Sequence, residues 1–392
     1  MRVGIFTDVY FPYISGVVTA TNSLAKALEN KGCEVFIVCI NADNKKYERV
    51  GNIVKIPAMK APFGLYGYYL KANYPVRAIK MIEDLKLDMI HTQTEAMIGI
   101  FGKNMGKKFH IPVVHTMHTS YEASVDYITK GHFKHLGNFG AKALVKIFLS
   151  KVIHFVITPG EKSYDLLKNK YKIKQEVEVI PSGIDLKYYK KKYTEEEINK
   201  KKKELGLEDS FILLWTGRLG YEKNIEFLIK NHNKIIAKNK KCRLLVIGTG
   251  PEEEKLKKMV KEQNMTNYVV FTGGIPNKDI GIYYALSDVF VSASIYETQG
   301  LTLIEAMAAG VPVVCIDDIS FRKVVVNKKN GLLFADEKEY VRAITYLIKN
   351  KELLESMKKN ALKTSEEYSL EKFGEKVLKF YQKAIEYQSR NA

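Results

Sequence analysis

The chain is poor in cysteine: Cys33, Cys39, Cys242 and Cys315 are the only four in 392 residues, and no two form a Cys-x-x-Cys pair. That pattern excludes a zinc ribbon and a disulfide framework, and thiols scattered through apolar runs are expected to be reduced core residues of a cytoplasmic protein. No run approaches the ~18 consecutive apolar residues of a spanning helix, so any membrane contact is expected to be peripheral. Met1-Arg2 leads straight into the strand-like Val3-Gly4-Ile5-Phe6, so no signal peptide is expected. The first strand-to-helix turn lacks the three spaced glycines of a dinucleotide fingerprint, which argues against NAD or FAD. Acidic residues are also scarce, 44 against 62 Lys and Arg, for a formal net charge of +18. The excess attracts something anionic, but nucleic acid, a phosphorylated small molecule and acidic lipid all qualify.

What is present is apolar residues, at 46% of the chain, enough for two domains that each bury a core. Short apolar runs at 2–7, 34–40, 52–57, 89–93, 112–117, 154–158 and 177–181 alternate with helical periodicity at 17–31, 72–86, 96–108, about 137–151 and 161–171. After a charged connector or solvated helix at 190–203, strands resume at 211–217, 243–248, 269–272, 289–293, 311–316 and 331–335. Strand–helix alternation of this kind predicts an α/β protein with two doubly wound, mostly parallel sheets. Residues 336–390 read as helical throughout, with Phe373, Val377, Phe380, Tyr381 and Ile385 on one stripe that must pack on something.

Ligands of open parallel sheets collect beyond the carboxyl ends of the strands, and five turns there stand out. Ser15-Gly16 follows the first strand, where a missing Cβ either lets backbone approach a phosphate or sugar, or merely opens a helix. His118 ends the fifth strand and is either a hydrogen-bond partner for a sugar hydroxyl or a structural histidine, the role expected of His115. Gly217-Arg218 and Glu222-Lys223-Asn224 open the second domain; Lys223 stands where a helix dipole disfavours a cation unless an anion is bound, so Arg218 and Lys223 are either a diphosphate clamp or two surface cations. Gly274-Ile275 follows a strand and either meets a flat base edge or forms an ordinary turn. Finally, Glu297 lies in a loop and Glu305 one turn into a helix starting near Leu301, so that both can face one ligand at the helix N-terminus. Asp317-Asp318 reads as structural, not as a metal site.

With these residues in place the chain resembles the retaining glycosyltransferases of family 4, which have the GT-B fold. The resemblance covers nearly the whole length. It rests on Glu297 and Glu305 followed by Ala306-Met307-Ala308-Ala309-Gly310-Val311-Pro312, supported by Gly217-Arg218, Glu222-Lys223-Asn224 and Pro181-Ser182-Gly183-Ile184-Asp185. It implies two Rossmann-like domains with an interdomain cleft, 1–180 for the acceptor and 181–371 for the nucleotide sugar, and a last helix, about 372–392, crossing back to the first domain. It further implies that Glu305 holds the ribose and Glu297 a hydroxyl of the donor sugar. Gln299, Gly300, Leu301 and Thr302 meet the sugar and phosphate, Arg218 and Lys223 the diphosphate, and His118 and Gly16 lie beside the transferring centre. No metal or other cofactor is expected. Thr298-Gln299 departs from the commonest family pattern after the first glutamate and resembles the bacterial diacylglycerol glucosyltransferases. So does His118-Thr119 with Tyr121-Glu122, although Ala123, Ser124 and Asp126 depart from that pattern.

Residues 127–160 favour a lipid acceptor: they hold Lys130, Lys134, Lys142, Lys146 and Lys151, no Asp or Glu, and Phe133, Leu136, Phe139, Leu144, Ile147 and Phe148. Basic and apolar faces on one helix suit an anionic membrane surface, at roughly 1 kcal/mol per cation near it; the apolar side is alternatively all core. Phe63, Leu65, Tyr66, Tyr68 and Tyr69 either extend such a surface or fold onto the first domain. Ser15 and Tyr121 are the acceptor-side candidates. The expected activity is transfer of glucose from UDP-glucose to diacylglycerol at the cytoplasmic membrane face. Its rivals are a soluble metabolite, a phosphoinositide or a polysaccharide as acceptor, a UDP-sugar epimerase, and, disfavoured because it leaves the paired glutamates unexplained, nucleic-acid binding.

Overall fold

The computed structural model describes residues 1–13, 15–41, 46–57, 59–60, 69–70, 76–118, 134–150 and 152–391, with backbone alone for 59–60, 69–70 and 134–139. The chain forms two compact units, Met1–Gly183 with Leu370–Ala392, and Ile184–Ser369. Chain passes from one to the other beside itself: Ile184 N–H donates to Tyr368 O at 2.9 Å, and Ile184 bridges Ser369. The crossings therefore fall at 183/184 and 369/370, a few residues from the places read in the sequence.

The first unit is built on β1 (Arg2–Thr7), β2 (Glu34–Asn41), β3 (Glu48–Val50), β4 (Ile53–Pro57), β7 (Met89–Thr92), β8 (Val113–Thr116), β9 (Phe155–Thr158) and β10 (Glu176–Val179), ordered β10-β9-β8-β7-β1-β2-β4-β3. All pairs are parallel except β3 with β4. β3 escaped the sequence reading because Glu48-Arg49-Val50 is a fully exposed edge strand with no apolar alternation to announce it. A two-stranded ribbon of β5 (Met59–Lys60) and β6 (Tyr69–Leu70) was also not foreseen. The central strands carry continuous apolar runs because helices cover both faces.

One of those covering helices is Leu370–Asn391, which buries Phe373, Val377, Phe380, Tyr381 and Ala384 against a cluster that includes Val3, Ile5 and Phe155. Each large side chain so buried contributes about 1.5–3 kcal/mol. Close approach to the helix Gly16–Glu29 depends on Gly374, where a Cβ would stand 2.7 Å from the Ala27 carbonyl oxygen. The segment read as one helix over 161–171 instead widens at Leu166–Lys170 into a π turn, with Tyr171 N–H donating to Leu166 O at 2.8 Å. The extra residue in the turn lets both Tyr171 and Ile173 reach the core.

The second unit holds β11 (Phe211–Thr216), β12 (Cys242–Ile247), β13 (Val269–Gly273), β14 (Val289–Ser292), β15 (Val313–Ile316) and β16 (Gly331–Phe334), all parallel, ordered β13-β12-β11-β14-β15-β16. Strand order reverses at β11/β14 here and at β1/β7 in the first unit. A doubly wound sheet opens a crevice at such a reversal, because the helices on either side of it leave in opposite directions. The charged stretch before β11 forms the helix Glu195–Glu204, with no buried residue and a reciprocal capping box between Thr194 and Glu197. Asp317 pairs with Arg322 at 2.7 Å and Asp318 accepts from Ser320 N–H at 2.8 Å, so that acidic pair is tied up in its own turn.

Candidate active site

Loops after β11 and β14, the two sides of the second unit's crevice, bring Lys223 and Glu297 together at 2.5 Å. Glu297 Oε1 also accepts from Ser294 Oγ at 2.9 Å, and the Glu297 carbonyl accepts from Ser320 Oγ at 2.7 Å. Ile295 N–H donates to the Glu222 carbonyl at 3.1 Å, which lashes the two loops to each other, and Ser294 Oγ lies 3.2 Å from the same oxygen. Arg218 is 53% exposed and touches Glu222 at 3.4 Å, free to swing onto an incoming anion. This arrangement answers the anomaly of a cation at a helix start: Glu297 neutralises Lys223 just ahead of the helix Ile225–Ile236.

The loops approach each other by backbone. Gly248, at φ +140, would place a Cβ 1.7 Å from the Gly217 carbonyl oxygen, and Gly250 would place one 2.5 Å from that of Leu219. Gly274 and Ile275 follow β13 directly, with Gly274 exposed. Across the crevice Gly300, at φ +77, begins the helix Leu301–Ala308 without a side-chain cap, so the first N–H groups at Leu301 and Thr302 are presented to an anion. Gln299 beside it is buried.

Glu305 projects from one turn into that helix. It accepts from Tyr284 Oη at 2.9 Å, Tyr284 Oη lies 3.0 Å from Thr216 Oγ1, and Tyr189 supplies a second hydroxyl. Burial pushes the Glu305 carboxyl above the ordinary glutamate range, against the pull of the two tyrosine hydroxyls. Burial and the neighbouring Glu305 charge push the Tyr284 and Tyr189 phenols up, so both remain donors. The two glutamates thus sit in different settings, Glu297 with a cation and Glu305 with neutral hydroxyls. Sequence reasoning missed Ser294, Ser320, Tyr284 and Tyr189; Ser294, two residues past a strand end, carried the only positional signal.

In the first unit the strand-end loops at the β1/β7 reversal form a second polar cluster. Asp8 Oδ1 accepts from Ile98 N–H at 3.0 Å and Asp8 also bonds Thr94 Oγ1, so it ties the end of β1 to the start of the helix Met97–Phe109; burial raises its pKa. His115 is held on both ring nitrogens, by Thr92 at 2.9 Å and Glu95 at 3.1 Å. His118 Nε2 lies 2.7 Å from Gln93 Oε1, and burial lowers its pKa to about 4, which leaves it neutral. Ser15 caps the helix Gly16–Glu29 by accepting from Val18 N–H at 3.3 Å. A Cβ on Gly16 would meet nothing within 4 Å among the described residues, so neither packing nor backbone geometry accounts for the glycine.

Of the acceptor-side candidates, Tyr121 and Lys130 lie outside the described residues, as do Phe63, Leu65, Tyr66, Tyr68 and Lys151; Lys134 opens the helix Lys134–Leu149. That helix buries Ala141, Val145, Phe148 and Leu149, while Leu144 and Ile147 are 64% and 67% exposed. Its apolar side is therefore only partly core. Lys146 is exposed, and Lys142 turns back to the Lys170 carbonyl at 3.4 Å. Ile100, on the neighbouring helix, is also exposed, one turn from Lys103, which donates to the Ile147 carbonyl at 3.2 Å. Among the described residues no helix is long and apolar enough to cross a membrane.

A crevice at each strand-order reversal, with a cation and two differently set carboxylates in the second, is the architecture of a sugar-nucleotide transferase. The chain belongs to the GT-B glycosyltransferases of family 4, and it is a hexosyltransferase. Residues 14–188 match the profile "Glycosyltransferase Family 4" and residues 197–364 "Glycosyl transferases group 1". It is 35% identical over 376 residues to the alpha-monoglucosyldiacylglycerol synthase of Acholeplasma laidlawii, covering 95% of this chain and 94% of that one. It is 36% identical over 390 residues to the enzyme of the same name from Streptococcus pneumoniae, covering 98% and 86%. The fold is similar to that of Anabaena HepE crystallised with UDP, at a TM-score of 0.77 and 16% identity over 98% of this chain and 100% of that one.

Proposed function

We propose that the enzyme transfers glucose from UDP-glucose to the free hydroxyl of diacylglycerol, retaining the α configuration, at the cytoplasmic face of the membrane to which it binds peripherally. The observation that carries this reading is the near-full-length similarity to two alpha-monoglucosyldiacylglycerol synthases. The exposed Leu144 and Ile147 on a basic helix support it, since they suit an anionic lipid surface. In this reading Ile184–Ser369 holds the donor, and the unit of Met1–Gly183 and Leu370–Ala392 holds the acceptor.

Glu305 takes the ribose hydroxyls, Gly274 and Ile275 the base edge, and the backbone of Gln299 through Thr302 the sugar and phosphate. Arg218 and Lys223 carry the diphosphate and meet its growing charge as the bond from phosphate oxygen to glucose C1 breaks. Glu297 and His118 position hydroxyls of the hexose, and Gly16 leaves room for the acceptor oxygen. That oxygen bonds to C1 on the face the phosphate leaves, and its proton passes to the departing phosphate. No protein nucleophile and no metal is required, because two cations and helix N–H groups offset the charge. Lys142 and Lys146 contribute to lipid attraction, and Ser15 holds the loop beside the acceptor.

Incubation of the enzyme with UDP-glucose and diacylglycerol in anionic vesicles, followed by mass analysis of the lipid, tests the assignment. A product heavier by one hexose supports it. Absence of lipid product together with turnover on a soluble acceptor would transfer the assignment to that acceptor; a rearranged UDP-sugar formed without acceptor would make the enzyme an epimerase.

A further inference from the structure

Gln93 follows β7 at the strand-order reversal of the first unit and is 2% exposed. Its backbone N–H donates to Phe6 O at 2.8 Å, which fixes its Cα between β1 and β7. Its side-chain oxygen faces His118 Nε2 at 2.7 Å. His118 itself is placed by Met117, whose N–H donates to Ile157 O at 2.9 Å at the end of β8. Backbone anchors on both sides thus set the distance between the amide and the ring.

In the structure Gln93 turns its amide oxygen to the ring and leaves its amide nitrogen buried with no partner among the described residues; an amide oxygen only accepts, so in this arrangement the facing ring nitrogen carries the proton. In a neutral imidazole the other nitrogen then holds a lone pair. We infer that Gln93 is the positioning residue of His118: it keeps the ring proton on Nε2 and presents Nδ1 as an acceptor to one hydroxyl of the transferred hexose. This rests on the reading that His118 meets that hexose. His91 and His115 behind it are held on both nitrogens, by Tyr381 and Thr116 and by Thr92 and Glu95. Among the described residues His118 alone of these three has a ring nitrogen with no protein partner. An acceptor there selects a hexose hydroxyl that can donate and rejects a sugar lacking it.

The test has a direct arm and a kinetic arm. Nitrogen-15 NMR of the intact wild-type enzyme, with the His118 ring assigned by loss of its signals in His118→Gln, reads the tautomer. Protonated Nε2 and bare Nδ1 are expected; a proton on Nδ1 overturns the inference. In the kinetic arm Gln93→Leu, which cannot accept, lowers kcat about tenfold, the worth of one hydrogen bond, with UDP affinity unchanged. Gln93→Glu keeps the proton on Nε2 but favours the charged ring, so kcat falls with falling pH along a limb absent from wild type and recovers at high pH. Unaltered kcat and pH profile in both variants, alongside a slowed His118→Ala, overturns the inference and leaves the hexose reading standing. Unaltered kcat in His118→Ala removes that reading and the inference with it.

Discussion

Lys223 Nζ and Glu297 Oε1 are 2.5 Å apart although 74 residues separate them, and Ser294 Oγ shares the same carboxylate oxygen at 2.9 Å. Each group is less than a quarter exposed. In the function proposed above, the cation serves the diphosphate and the carboxylate the hexose. Neither is left as an isolated charge in the crevice.

Removing one member leaves the other unpaired. Lys223→Ala is expected to slow transfer by about 10²–10³-fold, the usual cost of deleting a donor that meets transition-state charge. Glu297→Gln should slow transfer while shifting the UDP dissociation constant by less than about threefold. Steady-state kinetics with calorimetric titration of UDP separates the two; equal losses of UDP affinity in both variants would refute the division of labour.

Glu305 should govern nucleotide affinity and its pH dependence. Burial raises its pKa, so it gains its proton at a higher pH than an ordinary glutamate and, in the proposed reading, becomes a weaker acceptor for the ribose hydroxyls as pH falls through that raised value. UDP binding is expected to weaken toward mildly acid pH. Glu305→Gln should bind UDP about 10–100-fold more weakly, since a hydrogen bond to a charged group is worth ~1.5–3 kcal/mol, and should lose that pH dependence. Titrations across a pH series read both.

His232 is fully buried in the second unit's core and burial lowers its pKa to about 4. The unfolded chain, with an ordinary histidine, binds the proton more readily, so stability declines as pH falls from about 6.5 toward about 4. The loss is bounded at roughly 3 kcal/mol, at about 1.4 kcal/mol per pH unit. Urea unfolding at pH 7.5 and pH 5 should show stability falling with pH, and His232→Leu should remove that histidine's share while leaving the share of the buried His118.

Two glycines near the crevices should separate stability from catalysis. Gly300→Ala puts a Cβ 2.6 Å from the Phe321 ring at φ +77, so it should destabilise the protein by roughly 1–3 kcal/mol and abolish transfer. Gly16→Ala meets open space among the described residues. It should leave the melting temperature unchanged while slowing transfer, because the added methyl intrudes only on substrate.

The exposed apolar pair offers a test of lipid docking. Leu144→Ser with Ile147→Ser removes two side chains worth about 1.5–3 kcal/mol each when buried in lipid. Sedimentation with anionic vesicles should fall at least tenfold, with UDP affinity intact. Unchanged sedimentation would place the lipid contact elsewhere in the chain.

Much was fixed by the sequence alone, because it depends on local order. Apolar runs of strand length alternating with helical periodicity specify parallel doubly wound sheets, and a glutamate eight residues before another, spanning a loop and a helix start, places both carboxylates beside that helix N-terminus. Lys223 could be singled out since a cation at a helix start is an anomaly visible in the order of residues. Tertiary structure decided the rest. Nothing local marks Tyr284 and Tyr189 as the hydroxyls around Glu305, Ser294 as the clasp between two loops, or Gln93 as the partner of His118. Those pairings arise from strand order, which brings together segments far apart in sequence. The partition of one helix into buried Phe148 and exposed Leu144 and Ile147 was likewise settled by which face met the sheet, since an apolar side chain announces its preference for burial but not whether a neighbour exists to cover it.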